Sequence, residues 1–125
     1  MVRIFLSYSH HDRKVMQRVK ERLERAGVSV WTDEGLRPGT DDWTAAVERK
    51  IETCEGFVVI VSAAACRSEW VRREISRAKK LGRPIFPVFV DEVSASLVPL
   101  YLENVHYIDA RSDFKQGIAD LLEVL

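Results

Sequence analysis

Cysteine is scarce in this sequence: there are two in 125 residues, Cys54 and Cys66. Two thiols make neither a disulfide framework nor a zinc ligand set, so a reducing, cytoplasmic setting is the default expectation. Net charge is absent as well. Lys+Arg and Asp+Glu balance at 19 each, whereas a nucleic-acid module usually carries a basic excess, so no nucleic-acid partner is expected. No apolar run approaches the ~20 residues that span a bilayer. Met1 leads straight into "VRIFLSYS", which is too short and too strand-like for a signal peptide. No membrane association is expected either. There is no internal repeat, no low-complexity segment, and no GxGxxG, P-loop or GxSxG motif.

What is present is a 14.3 kDa chain, 46% hydrophobic, of a size for one domain over residues 1–125. Strand and helix patterns alternate. "VRIFLSYS" is a short apolar strand. In the next segment Val15, Met16, Val19, Leu23 and Ala26 keep helical spacing, and Gly27 suits a helix exit. "VSVW" is a second strand. "TDEGLRPGT" is a loop with a Pro38-Gly39 turn signal. Thr40, Asp41 and Asp42 then offer a cap and first-turn acids to a helix whose Trp43, Val47 and Ile51 share a face. "GFVVIVS" is the most apolar run and reads as a central strand buried on both faces.

"CRSEWVRREISRAKKLG" follows as a helix, with Ser68 as an N-cap candidate. "PIFPVFV" is a fourth strand and "VHYI" a fifth. A last helix from about residue 114 carries Phe114, Ile118, Leu121, Leu122 and Leu125 on one side. Within "DEVSASLVPLYLEN" a short helix is one reading. The final "DLLEVL" ends mid-pattern, which is expected either of a domain cut from a longer protein or of a last helix that simply ends there. The alternation predicts an α/β, flavodoxin-like three-layer sandwich: a central parallel five-stranded sheet, order 2-1-3-4-5, with helices on both faces. Pro87 resists, because it removes a backbone donor inside the fourth strand. A bulge, or an outward-facing position for the missing N–H, would reconcile it.

Ligands of such sheets sit beyond the carboxyl ends of the strands, where strand order reverses. Ser7, Tyr8, Ser9 and His10 reach that rim from the first strand, Asp33 from the second, and Ser62 from the third. Trp70 and Glu74 open the helix after strand three. Val71, Ile75 and Ala78 should face the sheet, with Trp70, Glu74, Arg77 and Leu81 on the adjacent stripe about 100° away. Glu74 is thus expected at the edge between core and solvent, beside an indole. The ordinary reading is a half-buried Trp and a Glu paired with Arg73, Arg77 or a neighbouring element, since i,i+4 pairs are common. The other reading is one wall of a site.

Competing chemistries fail on residue type. A phosphoryl-accepting receiver needs acids at the ends of strands one and three, which here read "SYS" and "IVS". A flavin-phosphate loop would be rich in Gly, Ser and Thr, and "SYSHHD" lacks glycine. His10 and His11 are adjacent, point apart and have no second ligand cluster, so no metal is expected. Cys66 has no histidine beside it in sequence. "RREISRAKK" reads as a solvated helix face with snorkelling stems.

Taken together, "RIFLSYSHHD", "GVSVWTDEGLRPGTDDW", "GFVVIVS", "SEWVRREI" and "RPIFPVFVD" resemble, in order and spacing, a bacterial Toll/interleukin receptor (TIR) domain over nearly the whole chain. The resemblance implies one of two functions. Some TIR domains are non-catalytic scaffolds that assemble through the loop after strand two, here Leu36, Arg37, Pro38 and Gly39. Others self-associate and cleave NAD+ at the ribose–nicotinamide bond, releasing linear or cyclised ADP-ribose, in bacterial defence or stress signalling. The enzymatic members carry a Trp-x-x-x-Glu pattern, which "WVRRE" matches at Trp70 and Glu74.

The resemblance therefore implies an NAD+ nucleosidase with Glu74 catalytic and Trp70, Ser7, Tyr8, Ser9, Asp33 and Trp43 lining the substrate. NAD+ is then the substrate and no cofactor is implied. The implied partners are further copies of the domain and fused or partnering sensor or effector domains. The chemistry suits a carboxylate that stabilises a cation-like sugar and an indole that stacks on a ring. Nicotinamide leaves neutral, so one carboxylate suffices. Some members carry arginines just after the Ser-Tyr of strand one. Here Ser9 and His10 stand there, leaving Arg37, Arg67, Arg72 and Arg73 as candidate diphosphate contacts.

Overall fold

Alternate residues of the first strand face opposite ways, and that alternation builds two cores. The computed structural model describes residues 2–34, 41–98, 102 and 105–125. Its strands are β1 (Arg3–Ser7), β2 (Ser29–Trp31), β3 (Gly56–Val61), β4 (Ile85–Phe89) and β5 (Ile108–Asp109). Its helices are α1 (Arg13–Arg25), α2 (Asp41–Thr53), α3 (Ala63–Arg67), α4 (Glu69–Lys80) and α5 (Phe114–Val124). All neighbouring strands pair in parallel, in the order β2-β1-β3-β4-β5 that the alternation predicts. Ile4 and Leu6 turn to one face and join Val58, Ile60, Met16, Val19, Leu23, Ile118 and Leu121, under α1 and α5. Phe5 turns to the other and joins Phe57, Val59, Trp43, Ile51, Val71 and Ile75, under α2 and α4. Every residue of β3 is buried, which is why it reads as an unbroken apolar run.

The local signals act as physical chemistry requires. Gly27 adopts φ +89° just past α1, a conformation that L side chains rarely take. Ser68 caps α4, its hydroxyl accepting from the Val71 amide at 3.2 Å. That cap divides the stretch read as one helix from Cys66 onward: Cys66 and Arg67 belong to the separate short α3, which ends before Ser68.

Pro87 occupies the outward-facing position. The bonds Phe57 N–H to the Pro84 carbonyl and Val90 N–H to the Val61 carbonyl turn the even residues of β4 toward β3. Pro87 therefore faces the opposite side, ahead of the Val88–Ile108 pair at which the β5 ladder begins. The fifth strand is shorter than "VHYI" predicts, because His106 and Tyr107 are exposed and only Ile108 and Asp109 pair. In the segment before it, a 3-10 turn spans Ala95–Leu97. The assembly-loop residues Leu36, Arg37, Pro38 and Gly39, and the cap candidate Thr40, lie outside the described residues.

Candidate active site

Ser7 shares its face with Phe5, so it turns from the end of β1 toward α4. Its hydroxyl donates a buried 2.7 Å hydrogen bond to Glu74 Oε1. Glu74 itself is only 3% exposed. The expected position at the solvent edge is thereby corrected. A helical side chain leans toward the helix N-terminus, which carries Glu74 toward the strand ends, and the Trp43 and Trp70 indoles border the same space. Neither basic neighbour on the helix reaches it. Arg73 pairs with Glu69 at 2.7 Å and Arg77 with Glu48 at 2.9 Å.

The second carboxyl comes from β2. Asp33 lies two residues past the strand's end and within hydrogen-bonding reach of Glu74. Two adjacent carboxylates cannot both ionise cheaply away from water. Burial drives the Glu74 carboxyl well above the usual range, the Asp33 charge adds to that, and the Ser7 hydroxyl opposes it. Burial raises Asp33 too, while Glu74 and His10 favour its charged form. Burial raises both carboxyls, so the pair favours holding one proton between them. Glu74 Oε2 is buried and receives no donor among the described residues.

The remaining rim residues divide by what they touch. Tyr8 is buried, and burial with the Asp33 and Glu34 charges pushes its phenol up to about 12. It stays protonated and keeps its O–H as a donor. Ser9 is buried and its hydroxyl accepts from the His11 amide at 3.3 Å, capping the turn His10–Asp12. His10 and His11 are exposed. Ser62 donates to Asp12 and caps α3, tying β3 to that turn. Burial pushes the Cys66 thiol up, which keeps it protonated and unreactive. Trp43, buried, meets half-buried Trp70 edge-to-face at 4.3 Å, and the Arg73 guanidinium lies 4.9 Å over the Trp70 ring. Glu74 and both indoles line a groove of about 510 Å³ between α2 and α4.

Sequence reasoning placed Ser7, Asp33 and Glu74 on one rim but did not pair them, and it gave the catalytic role to Glu74 alone. The missing signal was available. In order 2-1-3, strands one and two are neighbours, so the residue just past β2 must end beside the end of β1.

This fold and rim define a doubly wound α/β domain with a carboxyl pair at its switch point. The TIR domain family model matches residues 4–122, and the chain belongs to that family. A candidate cyclic ADP-D-ribose synthase, TIR2 from Cytobacillus dafuensis, is 24% identical over 90 residues, 66% of this chain. The match spans only 24% of that relative's length. Among solved structures, the TIR domain of the Toll-related receptor TRR-2 from Hydra magnipapillata superposes with a TM-score of 0.79 at 19% identity, covering 97% of this chain and 95% of that one. The CMP N-glycosidase BcmB of Clostridium botulinum gives 0.68 at 22% identity, covering 95% and 97%. Among the described residues no helix is long and apolar enough to cross a membrane.

Proposed function

We propose that the chain cleaves NAD+ at the bond between ribose and nicotinamide, as a glycohydrolase or cyclase. The observation that carries this reading is the buried Glu74, with one oxygen fixed by Ser7 and the Asp33 carboxyl as its neighbour, opening on a groove. The curated relative is named for NAD-derived chemistry, and a same-fold neighbour is named for cleaving an N-glycosidic bond.

A carboxyl pair that shares one proton carries a single negative charge. A cationic pyridinium riboside brought against it favours loss of that proton, which leaves two carboxylates facing the sugar. The C1′–N bond then breaks, its electron pair leaves with neutral nicotinamide, and the positive charge on the ribose is met by Glu74. Water adds to C1′ and gives up a proton to the carboxyl pair, or an adenine nitrogen of the same molecule closes the ring instead. Trp70 already holds Trp43 against its face and Arg73 over its ring, so here it borders the site as part of a preassembled wall.

Homotypic association through the loop after β2 belongs to the same reading. The alternative, a scaffold role alone, leaves the carboxyl pair without a use. Burying such a pair costs stability, and an adaptor gains nothing for that cost. The test is nicotinamide release from NAD+ by concentrated protein, beside a Glu74→Ala control. Release by the native chain and none by the variant is expected. Equal release by both removes Glu74 from the mechanism, and none under any assembling condition leaves the scaffold.

A further inference from the structure

The groove that Glu74 opens on is electrically lopsided. At its head it is lined by Glu74, with Asp33 beyond that carboxyl at the end of β2. Arg73 lines it beside the head, and Arg77 and Lys80 line it farther along α4, with Glu48 of α2 paired to Arg77. Trp43, Val47 and Ile51 supply apolar lining from α2. A volume of about 510 Å³ is within the range of small-molecule sites. We propose that this groove seats the diphosphate-bearing half of the dinucleotide, with Arg73, Arg77 and Lys80 as its phosphate contacts. The proposal rests on the NAD+ reading above and adds an orientation to it: pyridinium riboside at the acidic head, phosphates along α4.

Three observations select these cations. First, the end of β1 offers none of its own, because the Ser9 hydroxyl is used as a cap and His10 faces Asp33. Phosphates placed there would meet two acids. Second, the other arginines raised by the sequence are elsewhere. Arg72 spends its Nε on the Cys66 carbonyl at 2.9 Å, and Arg67 is an exposed residue of α3; neither lines the groove. Third, the spacing fits. At the helical rise, Arg77 and Lys80 lie about 4.5 and 9 Å along the axis from Glu74, comparable to the span from a ribose anomeric carbon to its own 5′-phosphate and on to the next. The Arg73–Glu69 and Arg77–Glu48 pairs are solvent-facing. Such pairs are worth little, so a phosphate oxygen can displace either carboxylate and gain a stronger charge-assisted bond.

The experiment compares the native chain with the double variant Arg77→Gln/Lys80→Gln, on two substrates and one probe. For NAD+ the variant should raise KM about tenfold for each cation lost while kcat holds within about twofold. For nicotinamide riboside, which has no phosphate, both parameters should stay unchanged. ADP, the probe, should perturb the Trp43 and Trp70 indole signals of the native chain in a salt-dependent way, and the variant should lose that response. An unchanged KM for NAD+, or an equal loss on both substrates, overturns the proposal. The failure of the NAD+ reading looks different. A chain that binds ADP through these cations but releases no nicotinamide keeps the groove as a nucleotide diphosphate site and loses the hydrolase.

Discussion

The two faces of the sheet are built from the same strands and differ in one respect. Under α1 and α5 the buried cluster runs from Ile4 and Leu6 to Ile118 and Leu121, with the Tyr8 phenol at its edge and no buried carboxyl. Under α2 and α4 an equally dense cluster of aromatics and aliphatics is interrupted at its upper edge by buried Ser7 and Glu74. One face holds the domain together, and the other holds it together around a charge. Packing two helices against five strands needs no carboxyl in the seam, so the second face carries a destabilising element that the first avoids. Such a conflict between local rule and fold marks a functional site more reliably than any pattern of exposed residues.

The sharpest way to break the comparison is Glu74→Gln. NAD+ cleavage should fall by about 10²- to 10³-fold, the size of one lost electrostatic contact to a developing charge. Stability should move the other way. Because Glu74 has a folded pKa above its ordinary value, it favours the fold at low pH. That contribution is present in full below the ordinary glutamate range and is lost as pH rises through the raised folded value. At neutral pH the native chain therefore bears a burial cost that glutamine does not. The variant should gain about 1 kcal/mol, or ~4 °C in thermal midpoint, and its midpoint should decline less between acid and neutral pH. A variant both inactive and less stable would mean that Glu74 is a structural residue.

The opposite face supplies the converse. Leu23 is fully buried on the inner face of α1, within the hydrophobic cluster of that side. Leu23→Ala should cost about 2–5 kcal/mol in denaturant unfolding and leave the specific activity of the folded fraction unchanged. A loss of kcat at temperatures where the variant is folded would show that the two faces are coupled through the sheet.

How much of this was legible before any coordinates is best judged element by element. The strand order followed from the short first crossover and the fully apolar β3, because hydrophobic pattern and connection length are local quantities. The cap at Ser68 followed from residue type. The Pro87 position required the ladder's register, which no single strand encodes. Glu74 was drawn at the solvent edge because helical spacing fixes an angle about the axis but not how far neighbouring indoles extend over it. The Ser7–Glu74 bond spans 67 residues of sequence, and the Asp33 contact joins two elements whose adjacency exists only once the sheet is assembled. Tertiary juxtaposition of polar groups was what the sequence withheld.

Asp33→Asn refines the polar face without dismantling it. Cleavage requires ionised Glu74, so activity rises with pH through the Glu74 pKa. The Asp33 charge is one of the causes that raise that pKa. Removing the charge should move the acid limb of kcat/KM to lower pH, with thermal stability at neutral pH equal or higher. A merely structural Asp33 would lower activity at every pH and leave the limb in place.

Ser7→Ala is the smallest change and the most discriminating partner to that variant. The Ser7 hydroxyl bonds Glu74 and opposes the rise of its pKa. Its loss should push the acid limb to higher pH, opposite to Asp33→Asn, at a stability change of about 1 kcal/mol for one buried hydrogen bond. Combined, the two substitutions share Glu74 as a common neighbour, so their effects on the limb should not add. A limb that moves in the same direction for both would mean that the pH dependence comes from some group other than Glu74. The polar interruption of this face would then be a packing feature with no part in setting the reactive charge.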